Sequence, residues 1–285
     1  MDFVHSFWSK PSLNYRWCIN NKNAIISNIW YYSLSVAYLK RLKQNIVLYT
    51  DSFGNECLNH IPYDKIYLTL EEKIDENTPP IMWACGKFYA LNEEPLSSVH
   101  IDGDVFIKEE KCLEIITGEK YDLLVQNEEY TNNSGIYIKE NKRIQHLDYP
   151  FYLDRIYGKS YNTGIIRFSN NDLKKKFLDN YFYFNEQIIH DNVIKKMWDL
   201  DRNISPDIVV EQLFLHQLSH NFKTICLVDF IDYQSYQHVI GKKKYQYLDN
   251  CKATLKFINE DLYHLTEEKE KYLKEKYFSD NIVTV

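Results

Sequence analysis

The residues best suited to chemistry stand at Val99-His100-Ile101-Asp102-Gly103-Asp104-Val105-Phe106. Two carboxylates two apart, on the turn leaving an apolar strand, can both reach one hard cation. Mg²⁺ or Mn²⁺ takes oxygen ligands and keeps positions open for phosphate oxygens. Gly103 would let the backbone approach a nucleotide closely. A simple solvated turn could carry the same letters. Asp199-Leu200-Asp201 supplies an internal comparison: it follows Lys195-Lys196-Met197-Trp198 and reads as a surface turn. The apolar strand before Asp102 separates the two, because open α/β sheets bind ligands at the carboxyl ends of their strands.

Three further stretches carry usable groups. In Gln237-His238-Val239-Ile240-Gly241-Lys242-Lys243-Lys244, His238 could be a third metal ligand through a ring nitrogen. Gly241 could offer a backbone N–H to a phosphate, and Lys244 could neutralise a diphosphate as a point charge. An exposed loop with a charge run would look the same. Asn162-Thr163-Gly164 opens an apolar run to Phe168; it is either a turn or a pair of polar residues for sugar hydroxyls. Glu211-Gln212 interrupts the apolar Val209 to Phe214 stretch, as a solvent face or as polar groups lining a reaction face.

These residues need a scaffold. Asn23 to Leu42 has apolar residues at helical spacing and ends in Lys40, Arg41 and Lys43, cations suited to a helix C-terminus. Ile46 to Thr50 reads as a buried parallel strand ending at Asp51. Lys65 to Leu70, Ser98 to Ile101, Tyr121 to Val125, Gly164 to Phe168 and Thr224 to Val228 read as further strands. Met82 to Leu91, Asn171 to Trp198 and Pro206 to Leu218 read as helices, and Leu262 to Tyr277 as a charged surface helix. Strands alternating with helices in the first hundred residues predict βαβ units and an α/β fold on a mostly parallel sheet.

Composition narrows the function classes. A chain of 285 residues, 45% hydrophobic and 26% charged, can bury a full core without staples. A net charge of -6 argues against nucleic acid as a partner. The six cysteines (Cys18, Cys57, Cys85, Cys112, Cys226 and Cys251) form no C-x-x-C pair, so we expect reduced thiols. The N-terminus has no basic stretch before an apolar core, and no run of about 18 apolar residues occurs. The expectation is a cytoplasmic protein with no transmembrane segment, leaving peripheral membrane contact open. The 24 tyrosines and 15 phenylalanines fit either a coding bias or aromatic platforms for sugars.

The order of these motifs resembles a known family. From Trp30 to Lys244 the chain is similar to glycosyltransferases of the GT-A type, closest to the retaining family 8 and bacterial relatives with a "HIDGDVF" signature. The matching positions are Asp102/Asp104, Asn162-Thr163-Gly164, Glu211-Gln212 and His238/Gly241/Lys244. The Trp30, Leu34-Ser35, Leu48 to Asp51 and Trp83 to Lys87 stretches also match. The resemblance implies a single Rossmann-like GT-A domain over residues 1–250, with a helical extension over 251–285. It implies Mn²⁺ or Mg²⁺ on Asp102, Asp104 and His238. Lys244, Gly241, Thr163 and Asp51 would meet a nucleotide-diphosphate sugar, with uridine the favoured base. Asn162, Glu211 and Gln212 would be catalytic, positioning donor sugar and acceptor. The implied reaction moves a hexose to a glycan or lipid-linked acceptor in surface-polysaccharide synthesis.

Three features depart from the pattern. The first strand of the sheet, normally near the N-terminus in this family, is poorly marked, and Asn20 to Ala24 is where it would end. The family usually has Asp-Gln-Asp where this chain has Glu211-Gln212-Leu213, and Pro-Trp where it has Tyr245-Gln246. Two rivals stand beside this reading. A catalytically dead sugar-nucleotide or glycan binder would share the fold. A haloacid-dehalogenase-type phosphohydrolase also uses D-x-D after a strand, but its motif places Gly after the second Asp, where Val105 stands here.

Overall fold

The computed structural model describes residues 1–13, 21–118, 120–131, 136–147, 158–200, 205–232, 234–239 and 243–278. Among the described residues nine strands run in chain order: β1 (Asp2–Phe7), β2 (Asn45–Thr50), β3 (Lys65–Tyr67), β4 (Val99–Ile101), β5 (Val105–Ile107), β6 (Leu123–Tyr130), β7 (Lys159–Phe168), β8 (Thr224–Cys226) and β9 (Tyr236–His238). The helices before β6 are α1 (Ser9–Leu13), α2 (Asn21–Arg41), α3 (Ser52–Leu58), α4 (Leu70–Lys73), α5 (Cys85–Glu93) and α6 (Glu110–Thr117). Those after it are α7 (Ile136–Ile144), α8 (Asn171–His190), α9 (Asn192–Leu200), α10 (Leu215–Leu218), α11 (Lys243–Ile258) and α12 (Glu260–Tyr277). A π-helical turn, Val209–Phe214, leads into α10.

Seven strands form one sheet in the order β3-β2-β1-β4-β7-β6-β8, and β5 pairs with β9 in a separate ribbon. β3, β2, β1 and β4 are parallel; β7 runs against both β4 and β6, and β8 is parallel to β6. Strands buried on both faces need apolar residues at consecutive positions. Phe3, Ile46, Leu124 and Ile165 pack on the face that carries α2. Their neighbours Val4, Val47, Val125 and Ile166 pack on the opposite face, with Phe88 of α5 and Phe177 of α8. The expected α/β architecture, a mostly parallel sheet flanked by helices, is what the chain adopts.

Several expectations need correction. The first strand is Asp2–Phe7, not a segment ending near 20–24; residues 21–24 begin α2. Its apolar run is broken by His5 and Ser6, yet His5 is fully buried. Tyr63 and Ser35 satisfy its ring, and Ser6 meets His100. Asn162-Thr163-Gly164 is not a turn before a strand but lies within β7, which starts at Lys159, with Asn162 opposite Asn127. The expected strand from Lys65 stops at Tyr67, and Leu70 opens α4.

The helix ends follow local rules. After α2 the chain turns with Lys43 in the left-handed region (φ 57°). Lys43 N–H donates to the Lys40 carbonyl and Gln44 N–H to that of Leu39, the Schellman pattern that closes a helix. The C-terminal α12 is not wholly solvated. Leu262, Thr266, Glu270 and Leu273 are buried on one side, and the Trp30 indole donates to Glu270 at 2.6 Å. Residue 250, next to the expected start of the extension, lies inside α11. Among the described residues no helix is long and apolar enough to cross a membrane.

Candidate functional site

The turn between β4 and β5 is fixed from both sides. Asp102 N–H donates to the Gly164 carbonyl at 2.8 Å, and Val105 N–H to the Asp102 carbonyl at 3.0 Å. Gly103 is needed for packing against a neighbouring side chain. A Cβ there would lie 2.2 Å from the Tyr32 ring, whose hydroxyl donates to the Ser6 carbonyl at 2.7 Å. The β5–β9 ribbon then delivers a residue distant in sequence: Val105 sits opposite His238, and Val239 N–H donates to the Asp104 carbonyl at 3.1 Å.

The result is a cluster. One ligand atom each from Asp102, Asp104 and His238 lies within 4.8 Å of the others. His238 Nε2 is 3.4 Å from Asp104 Oδ1, while its Nδ1 is buried with no hydrogen-bond partner among the described residues. Two carboxylates and an imidazole suit a cation such as Mn²⁺ or Mg²⁺. Gly164 makes the room: a Cβ there would lie 2.8 Å from the His238 ring and 2.3 Å from Gln126 Oε1. The glycine of the Asn-Thr-Gly motif thus serves the histidine of the last motif.

Lys87 of α5 ties two motifs together. Its Nζ lies 2.9 Å from Asp102 Oδ1, 2.6 Å from Glu211 Oε1 and 3.1 Å from the Thr163 carbonyl. Burial works against its charge, but the carboxylates of Asp102 and Glu211 outweigh it and hold its pKa above the ordinary lysine value. Burial raises the Asp102 carboxyl, Lys87 opposes that, and Asp104 reinforces it. The Thr163 hydroxyl donates to Glu211 Oε1, while Glu211 Oε2 is buried with no partner among the described residues. The π-helical turn gives Glu211 this inward position, a local geometry often found at functional sites.

A second polar group lines the same cavity. Asn162 Nδ2 donates to Glu129 Oε1 at 2.9 Å, and Asn162 Oδ1 accepts from Gly164 N–H at 3.0 Å. The Tyr137 hydroxyl lies 2.6 Å from Gln212 Oε1 and 3.0 Å from Glu129 Oε2. Both groups line one cavity of about 420 Å³, walled by apolar side chains including Trp8, Trp83 and Ile208. That volume falls in the range of small-molecule sites. Its place in the fold is informative. From β1 the chain moves to β2 on one side, and β4 later joins β1 on the other. The crevice at the carboxyl ends of two such strands is where open α/β sheets bind ligands.

Of the expected site residues, Asp102, Asp104, Asn162, Thr163, Glu211, Gln212 and His238 all line this cavity. Asp51 is not among its lining residues. It caps α3, accepting from Gly54 N–H at 2.6 Å and Ser9 N–H at 2.7 Å. Gly241 lies outside the described residues, and Lys244 is in the first turn of α11 with its side chain also outside them. Asp199 is exposed at the end of α9, and Asp201 lies outside the described residues, as does Cys18. The other five cysteines are free thiols.

Sequence reasoning did not single out Lys87, Glu129, Tyr32 or Tyr137 as site residues. Lys87 carried usable signals, as the cation of the otherwise apolar Met82 to Leu91 run and the end of the Trp83 to Lys87 stretch that matches the resembled family. Glu129 carried none, because β6 was expected to end at Val125.

Comparison with known proteins adds three findings. A family model described as "Family of unknown function (DUF6734)" matches residues 1–277. No curated protein matches the sequence. Among solved structures, mouse xyloside xylosyltransferase 1 in its apo form is similar at 11% identity and a TM-score of 0.38. The match covers 78% of this chain and 83% of that one. At that score the likeness carries no functional weight.

Proposed function

The chain belongs to the family described as one of unknown function, DUF6734, and from the geometry of its cavity we propose that it is a metal-dependent glycosyltransferase. The donor would be a nucleotide-diphosphate sugar with uridine the favoured base, and the product a hexosylated glycan or lipid-linked acceptor. The observation that carries this reading is the meeting of Asp102, Asp104 and His238, from two distant segments, at a cavity beside the carboxyl ends of β1 and β4. The motif order that resembles family 8 glycosyltransferases supports it.

In this reading Asp102, Asp104 and His238 hold Mn²⁺ or Mg²⁺. The cation supplies charge stabilisation to the departing diphosphate. Lys244 and Gly241 are assigned to the same diphosphate. Lys87 bridges Asp102 and Glu211 and holds them at a fixed separation. Glu211, Thr163, Asn162 and Gln212 orient donor sugar and acceptor, and fixed orientation is itself a large share of catalysis. Asp51 contributes indirectly, holding the turn after β1 that lines the cavity. Residues 1–250 form the transferase domain, with 251–285 its extension. A cytoplasmic setting and surface-polysaccharide synthesis complete the proposal.

One observation favours a second reading, a sugar-nucleotide binder without turnover. Lys87 already neutralises Asp102, which weakens the pull of that carboxylate on a cation. Turnover separates the two. Incubation with a panel of UDP- and GDP-sugars should release nucleoside diphosphate in Mn²⁺ and not in EDTA. Metal-dependent binding with no release from any donor would favour the binder.

A further inference from the structure

His100 is 1% exposed and stands at the centre of β4, two residues before Asp102. A buried imidazole normally has both ring nitrogens satisfied. Here Nε2 is, with Ser6 Oγ at 2.8 Å. Nδ1 is not: it is buried without a hydrogen-bond partner among the described residues and faces Asp102 Oδ1 at 3.9 Å. Ser6 has a hydroxyl proton to give, so Nε2 can accept and leave the ring proton on Nδ1. The nearest carboxylate to that proton is Asp102.

Asp102 Oδ1 is also the oxygen that Lys87 holds at 2.9 Å. Two donors on one oxygen would leave Oδ2 as the oxygen of Asp102 available to a cation shared with Asp104 and His238. A gap of 3.9 Å is long for a hydrogen bond, and such contacts often tighten only when the site is loaded.

We infer that His100 is a positioning residue for Asp102, its Nδ1–H and the Lys87 ammonium together fixing Oδ1 so that Oδ2 faces the cation position. Ligands held from behind in this way lose about 10- to 100-fold in metal affinity when the support is removed. This inference rests on the metal-site reading above, and its first readout does not.

The test has two parts. In the metal-free full chain, nitrogen NMR of the His100 ring should place the proton on Nδ1; a proton on Nε2 overturns the proposal whatever the protein binds. In the second part, Mn²⁺ binding is measured with and without UDP for two variants. His100→Asn keeps an amide near the Nδ1 position, and His100→Gln keeps one near Nε2, facing Ser6. His100→Asn should stay within about threefold of wild type, while His100→Gln should lose about tenfold or more. Equal affinity for His100→Gln and wild type, or a greater loss for His100→Asn, overturns it. Wild-type protein that binds no Mn²⁺ removes the metal reading, and the tautomer still decides whether His100 addresses Asp102. If neither variant folds, the wild-type tautomer decides alone.

Discussion

The imidazole of His238 fills the space that a side chain at Gly164 would need, with a Cβ there only 2.8 Å from its Nδ1. A residue of β7 and a residue of β9, 74 positions apart, therefore share one volume. Gly164→Ala should displace the ring from Asp104 and weaken Mn²⁺ binding about tenfold or more, with overpacking costing about 1–3 kcal/mol of stability. Mn²⁺ titration and thermal unfolding check the two effects separately. Unchanged metal affinity would mean that His238 does not serve the cluster.

Lys87 supports a different expectation. It is 4% exposed and pairs with Glu211, which has no exposed surface. Lys87→Met should cost about 3–5 kcal/mol, because it strands a buried carboxylate. Adding Glu211→Gln should recover part of that loss. Urea unfolding of the single and double variants reads this directly; additive losses would show that the two side chains are not coupled.

The helix end after α2 offers a gain. Lys43 holds a left-handed conformation that costs a non-glycine residue about 1–2 kcal/mol. Lys43→Gly should stabilise the fold by about 1 kcal/mol, seen as a raised unfolding midpoint. A lowered midpoint would contradict the cap geometry.

His5 sets a pH dependence. Burial pushes its pKa down to about 3, with Asp104 opposing. The unfolded chain therefore binds the proton more readily between about pH 6.5 and 3, and stability rises with pH across that window. Lowering the pH from 7.5 to 5 should remove about 2 kcal/mol through this residue. Urea midpoints for wild type and His5→Gln at both pH values test it, with the variant expected to lose less.

Much of the fold was legible because its signals are local. The β2 run from Ile46 to Thr50 and the helical spacing of α2 each lie within one stretch of chain. β1 was not, since its polar His5 and Ser6 are paid for by Tyr63, Ser35 and His100, contacts that exist only after folding. The site divides the same way. Asp102, Asp104 and His238 were readable as residue types that bind cations. Lys87 bridging Asp102 and Glu211, and Gly164 making room for His238, are relations between segments that no spacing encodes. Asp51 stands at the end of a strand where a nucleotide contact was expected, and its cap on α3, accepting from the Gly54 and Ser9 N–H groups, is a relation that the strand end did not announce.

The proposed function requires that the cluster of Asp102, Asp104 and His238 hold a cation that a nucleoside diphosphate needs. Calorimetric titration of UDP and GDP into wild type, Asp104→Ala and Asp199→Ala, each in Mn²⁺ and in EDTA, tests it most directly. The expected result is binding of one nucleotide in Mn²⁺ by wild type and Asp199→Ala, lost in EDTA and lost in Asp104→Ala. No binding by well-folded wild type, or equal binding by Asp104→Ala, would contradict the account.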